Sequence, residues 1–154
     1  MRDRVTEILI NETIDTLEKL AFIFAEAADA PDAITGVDLI SVSADYSGPY
    51  SGRLVMGFAA DGLIALAANM LGLDEDDEIT DAEQQDALKE ALNIICGNVL
   101  PAVAGSEAVF NIAAPQLIAG VSAEDAAAAR AVARLTMDEG ALILYLFCDG
   151  DLPH

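Results

Sequence analysis

Three polar residues near the middle of the chain, Asp86, Glu90 and Asn93, stand four and three positions apart, and Gly97 follows four positions later. Spacings of three and four return to the same side of an α-helix, because each residue advances the turn by about 100°. Measured from Asp86, Glu90 falls about 40° to one side, Asn93 about 20° to the other, and Gly97 about 20° away, so the four form one narrow stripe. Leu88, Leu92, Ile95 and Val99 cluster near about 200°, the face expected to dock the helix on a core. The stripe should therefore face solvent. A carboxylate and an amide one turn apart point their tips at the same spot, and a glycine below them leaves a groove where another backbone could approach. By spacing alone, an exposed D-x-x-x-E-x-x-N series is most often a solvated helix face. Asparagine is a middling helix former, so its presence here is only a weak hint of another purpose.

Other chemistries lack the residues they need. His154 is the only histidine, so a histidine-based hydrolase or a zinc site is excluded. The acidic run from Asp74 to Glu78 lacks the glycine that a calcium loop carries at its sixth position, and Gln85 stands where the terminal glutamate should be. It reads as a solvated loop. Cys96 and Cys148 show neither C-x-x-C nor metal-ligand spacing and read as buried thiols in a reducing compartment. Asn98 falls about 120° round the wheel from Asp86, off the stripe, where a structural or capping role is expected.

The chain has 154 residues with 27 acidic against 7 basic side chains, a formal net charge of −20. Such a surface repels phosphate backbones and anionic headgroups, so neither nucleic acid nor membrane is expected as a partner; negative charge also simply keeps a small protein soluble. With 54% hydrophobic residues the chain can bury a core, and its length suits a single domain over 1–154. Charged residues interrupt any apolar run near the start, and no uncharged run reaches the roughly 18 residues of a membrane span. A cytoplasmic, soluble protein is expected.

The elements that must position the stripe follow from periodicity. Ile10, Ile14, Leu17, Ala21 and Phe24 recur every three or four residues, predicting an amphipathic helix from Val5 to about Ala28, closed by Pro31 and Gly36. V-D-L-I-S-V-S-A and R-L-V-M-G-F flank the Gly/Pro/Ser cluster of Ser47 to Gly52 and read as a hairpin. Asp61 to Gly72 predicts a second helix with Gly72 as its stop. Thr80 and Glu83 have the spacing of a capping box, starting a third helix that runs to about Ala104 with Pro101 near its end. Val109 to Ala113 reads as a short strand stopped by Pro115. After Ser122 two readings compete: a helix through the alanines capped by Ser122, and a half-buried strand from Ala129, where apolar and polar residues alternate. Asp138-Glu139-Gly140 would turn that strand into A-L-I-L-Y-L-F-C, forming a C-terminal hairpin. Strands adjacent in sequence predict an α+β fold, a mostly antiparallel sheet with helices packed on one side.

The segment D-A-L-K-E-A-L-N-I-I-C-G-N-V-L-P, Asp86 to Pro101, resembles the signature of the CheC/CheX/FliY phosphatases of bacterial chemotaxis. That signature is Asp or Ser, three residues, Glu, two residues, Asn, and a proline about twenty-two residues on. Asp86, Glu90 and Asn93 match in register, while Pro115 follows Asn93 after 21 intervening residues, one short. I-I-C-G-N resembles the family's continuation, and the glycine-punctuated hairpin before the second helix resembles CheX. A single E-x-x-N copy points to the one-site CheX-like type.

The resemblance implies a substrate: a CheY-like receiver domain carrying an aspartyl phosphate, with Mg²⁺ held in the receiver's own acidic pocket and no cofactor bound by this chain. It implies that Asn93 orients the attacking water and that Glu90 pairs with the receiver's phosphate-site lysine; Asp86, which matches the first motif position, and Gly97, whose groove leaves room for another backbone, are the expected partner contacts. No nucleophile, metal cluster or general base is required of this chain. The resemblance further implies a homodimer built by joining sheet edges, for which the Leu142–Phe147 strand is the candidate. The competing expectation is a non-catalytic receiver-binding or scaffold module, since relatives in the flagellar switch use the fold for assembly. The intact Glu90/Asn93 pair favours the enzyme.

Overall fold

The computed structural model describes residues 3–28, 38–74, 78–138 and 140–149. Its elements run α1 (Arg4–Ala21), β1 (Ala25–Ala27), β2 (Leu39–Ser47), β3 (Ser51–Ala59), a turn of 3-10 helix over 60–62, and α2 (Leu63–Leu71). They continue with α3 (Asp81–Ala104), β4 (Asn111–Ile112), β5 (Gln116–Ile118), α4 (Ala123–Ala127), β6 (Ala131–Met137) and β7 (Gly140–Asp149). The hairpins β2–β3 and β6–β7 join through β3 and β7. Among the described residues the sheet has seven strands in the order β1-β6-β7-β3-β2-β4, with β5 also on β2, all antiparallel.

Strand alternation turns this register into a helix-facing surface. Three cross-strand rows span the two hairpins: Ala44–Leu54–Leu146–Ala131, Val42–Met56–Leu144–Ala133 and Ile40–Phe58–Leu142–Leu135. All but Ile40 are buried, and Ile40 packs against them. Onto the rows come Leu88, Leu92, Ile95 and Val99 of α3 and Val5, Leu9 and Leu17 of α1, all fully buried. α3 packs against β2, β3, α1 and α2, so it is the core helix, with helices on one face of an antiparallel sheet. That is the expected α+β architecture. α3 is also long and apolar enough to cross a membrane by length and composition, but half of that stretch is buried inside the protein.

Several local expectations hold and others give way to tertiary structure. Gly72 closes α2 in the left-handed conformation (φ 71°). The stretch after Ser122 satisfies both readings in turn: Ser122 accepts from the Asp125 N–H to cap the short α4, and β6 then begins at Ala131 rather than Ala129. The first helix stops at Ala21, short of Ala28. Phe22 takes a left-handed conformation (φ 53°), its N–H donating to the Glu18 carbonyl and that of Ile23 to the Leu17 carbonyl. The chain then alternates: Ile23 and Ala25 are buried while Phe22 and Phe24 stay exposed, and β1 pairs with β6. Phe24 therefore lies off the helical stripe. Pro31 and Gly36 lie outside the described residues, as does part of the Asp74–Glu78 run.

The Leu142–Phe147 segment corrects a second expectation. β7 is hydrogen-bonded to β3 on one side and β6 on the other, so it has no free edge to offer a second subunit. Ten consecutive residues rich in apolar side chains are the composition of an interior strand. The short strands β1, β4 and β5 form the rims.

The start of α1 carries a pH-dependent clamp. Asp3 accepts the Thr6 N–H at 2.9 Å as the helix cap and receives the Arg130 guanidinium at 2.7 Å, tying α1 to the start of β6. The Thr6 bonds, with Arg130 second, hold its carboxyl well below the usual range, at about 2. A depressed pKa means the contribution is present above the unfolded value near 3.8 and is lost as pH falls toward 2. Asp3→Ala is expected to cost about 1 kcal/mol at neutral pH. In urea titrations the difference from wild type should shrink over that acid window, and a difference unchanged at pH 2 would contradict the clamp.

Candidate functional site

α3 is secured at both ends and along its flank. At its start Thr80 and Glu83 form the expected capping box: the Glu83 N–H donates to Thr80 Oγ1 at 3.1 Å and the Thr80 N–H to Glu83 Oε1 at 3.2 Å. At its end the Arg4 guanidinium donates to the carbonyls of Ala102 and Val103 at 3.0 and 3.2 Å, groups left without helical partners. Between them the Asn98 amide donates to Thr16 Oγ1 of α1 at 2.9 Å. Thr16 is buried and Asn98 exposed, so this bond ties the two helices together at the edge of their contact. Asn98 is structural, as its angle on the wheel predicted.

With its apolar side against the sheet, α3 presents the stripe outward. Asp86, Glu90 and Gly97 are exposed and Asn93 is half-buried, so all four lie on the open side. Asp86 and Gly97 are about 16 Å apart along the axis, and Glu90 and Asn93 stand about 4.5 Å apart in rise. Where a side chain would stand at Gly97 there is no atom within 4 Å apart from the helix's own neighbouring backbone, so the surface below Asn93 is open. Beside the stripe a groove of about 440 Å³ runs between α1 and α3, bounded by Glu12, Asp15 and Lys19 on one wall and Ile94 and Asn98 on the other. Lys19 is paired with Asp15 at 3.0 Å.

The arrangement supplies hydrogen-bonding tips and little else that reacts. Cys96 is buried, and burial pushes its thiol up to about 12, so it stays protonated at neutral pH and offers no thiolate. Among the described residues no three His, Cys, Asp or Glu side chains group where a metal ion could sit. What remains is an exposed carboxylate and an amide held on a rigid helix, fit to orient small polar groups of something that docks. Two contributors escaped the sequence reading. Thr16 and Arg4 lie 82 and 98 positions or more from their partners, and nothing in their local pattern marks them.

A fold in which an antiparallel sheet backs one long helix is already represented among solved structures. Chemotaxis protein CheX from Desulfovibrio desulfuricans matches at a TM-score of 0.72 and 18% identity, over 96% of this chain and 100% of that one. CheX from Vibrio vulnificus matches at 0.74 and 15%, over 97% and 99%. The CheX–CheY–BeF₃–Mg²⁺ complex from Borrelia burgdorferi matches at 0.65 and 15%, over 97% and 100%. At these identities the likeness is one of fold. A sequence comparison with curated proteins finds no match. The family model described as chemotaxis phosphatase CheX matches residues 40–140, a span that contains the whole stripe. The chain belongs to the CheX family of chemotaxis phosphatases, as the Asp86–Pro101 segment suggested.

The Asn98–Thr16 bond generates a stability test. Asn98→Ala leaves a buried hydroxyl without its donor and should cost about 1 kcal/mol in urea unfolding. Thr16→Val in the same background should add less than it does alone, because the pair acts as a unit. Strictly additive losses would show that the two side chains do not interact.

Proposed function

We propose that this protein dephosphorylates the aspartyl phosphate of a CheY-like receiver domain, docking through the exposed stripe of α3. The observation that carries the reading is the Glu90/Asn93 pair, displayed at the solvent side of the core helix in a chain of the CheX family. In the Borrelia burgdorferi relative, CheX is in complex with CheY bearing BeF₃ and Mg²⁺. BeF₃ there stands in for the phosphoryl group of an aspartyl phosphate.

In this reading Asn93 lies beside the phosphoryl group, its side-chain amide orienting a water for in-line attack on phosphorus. The bond from phosphorus to the acyl oxygen breaks, the receiver aspartate leaves as a carboxylate, and the water oxygen and its protons end on inorganic phosphate. Glu90 pairs with the receiver's phosphate-site lysine, holding the complex and the lysine together. Asp86 and Gly97 extend the contact along the helix. The Mg²⁺ belongs to the receiver. Positioning of this kind is a modest demand: a hundredfold gain over spontaneous hydrolysis takes about 2.7 kcal/mol. The reading carries with it a cytoplasmic location. The homodimer implied by the resemblance is proposed through a rim strand, β1 or β4 with β5, in place of β7.

The test is a dephosphorylation time course with the receiver domains of the source genome, Mg²⁺ and the purified protein. Wild type should accelerate loss of phosphate from one of them. Asn93→Ala should abolish that acceleration while still binding, because the side chain is half-exposed and outside the core. Glu90→Ala should weaken docking and turnover together. Wild-type activity in both variants would sink the site assignment. A receiver that binds in its phosphorylated form yet loses phosphate no faster would favour a scaffold.

Gly97 yields a prediction with opposite signs. The open space accepts a methyl group, and alanine is a better helix former by up to about 1 kcal/mol, so Gly97→Ala should melt higher. The same methyl group stands on the docking surface and should raise the KM for the receiver. An unaltered KM would remove Gly97 from the contact.

A further inference from the structure

Pro101 lies inside α3, three residues before its end and four residues after Gly97. In an α-helix the N–H of residue 101 would bond the carbonyl of residue 97, and proline has no N–H to give. Its ring also crowds that carbonyl, which relieves the clash by tilting away from the axis. Pro101 falls about 60° and Gly97 about 20° round the wheel from Asp86, both on the solvent side. Gly97 is itself exposed to solvent. The result is a strong backbone acceptor, freed from its helical bond, about 6 Å along the axis from Asn93.

We infer that the Gly97 carbonyl oxygen is a docking acceptor that takes a hydrogen bond from an N–H group of the bound receiver domain. The inference rests on the function proposed above and deepens it, since it names a backbone atom and the proline that exposes it. The same surface that brings a phosphoryl group to Asn93 passes over Gly97 one turn further along. Water serves the carbonyl in the free protein and is displaced on docking. The helix gives up an internal bond for an external one.

The variants Pro101→Ala and Pro101→Gly both restore an N–H to residue 101 and close the Gly97 bond. They differ in helix propensity, so Pro101→Ala should melt several degrees above wild type and above Pro101→Gly. The binding of each is measured against the receiver domains charged with beryllofluoride and Mg²⁺, and turnover against the phosphorylated forms. Both variants should raise Kd and KM by roughly three- to tenfold, the worth of one hydrogen bond, with kcat within about twofold of wild type. Kd and KM at wild-type values in either variant would overturn the inference, as would an effect that follows melting temperature instead of the restored N–H. A wild type that neither binds nor dephosphorylates any receiver would overturn the proposed function and this inference together. Loss of turnover in Asn93→Ala alongside unaltered Pro101 variants would overturn this inference alone.

Discussion

The burial of one side of α3 against the sheet is the contact on which the rest depends. Leu88, Leu92, Ile95 and Val99 are wholly withdrawn from solvent, and removing any of them would cost a few kcal/mol in lost contacts and cavity. Because they recur with the helical period, the residues between them have no choice of direction. Glu90 and Asn93 are aimed by leucines on the far side of the same helix, not by a network of their own. A polar pair placed this way keeps its geometry with Glu90 exposed and Asn93 half-exposed at the open side of the helix.

Charge is deployed with the same economy. Of seven cationic side chains, Arg4 closes the end of α3, Arg130 holds Asp3, Lys19 pairs with Asp15, and Arg53 lies over the Phe147 ring at 4.5 Å. The cations are thus largely occupied in holding the fold, and the field projected outward is that of the 27 carboxylates. A partner meets a predominantly negative surface, and one that brings cationic groups to the stripe finds complementarity with Asp86 and Glu90.

How much was legible follows from how far each interaction reaches along the chain. The capping box at Thr80, the stop at Gly72, both hairpins and the outward face of α3 are local or periodic, and they appear where the residues say. The three-residue strands β1 and β5 carry no period of their own and exist because β6 and β2 offer partners. Phe22 ends α1 in a conformation usually left to glycine, and the alternation that follows puts Ile23 inward, which overrides the helical spacing of Phe24. The place of β7 inside the sheet depends on a pairing with β3 that spans nearly a hundred residues, so strand composition showed what it is but not where it lies. The candidate site was readable because it is a single helix face; its supports, Arg4 and Thr16, were not, being remote in sequence.

That long pairing has a consequence for the order in which the molecule comes into being. A nascent chain extended only to Ala104 already contains the complete stripe and the β2–β3 hairpin, but the β3 edge that will receive β7 is bare. Two of the four strands that make the apolar rows have yet to be made, so α3 has half a floor to lie on. Closure waits for residues 131–149, and until they arrive an unpaired strand and an uncovered apolar helix face coexist. The complete apolar floor under α3 and the covered β3 edge therefore both require the final hairpin, which pairs with β3 through β7.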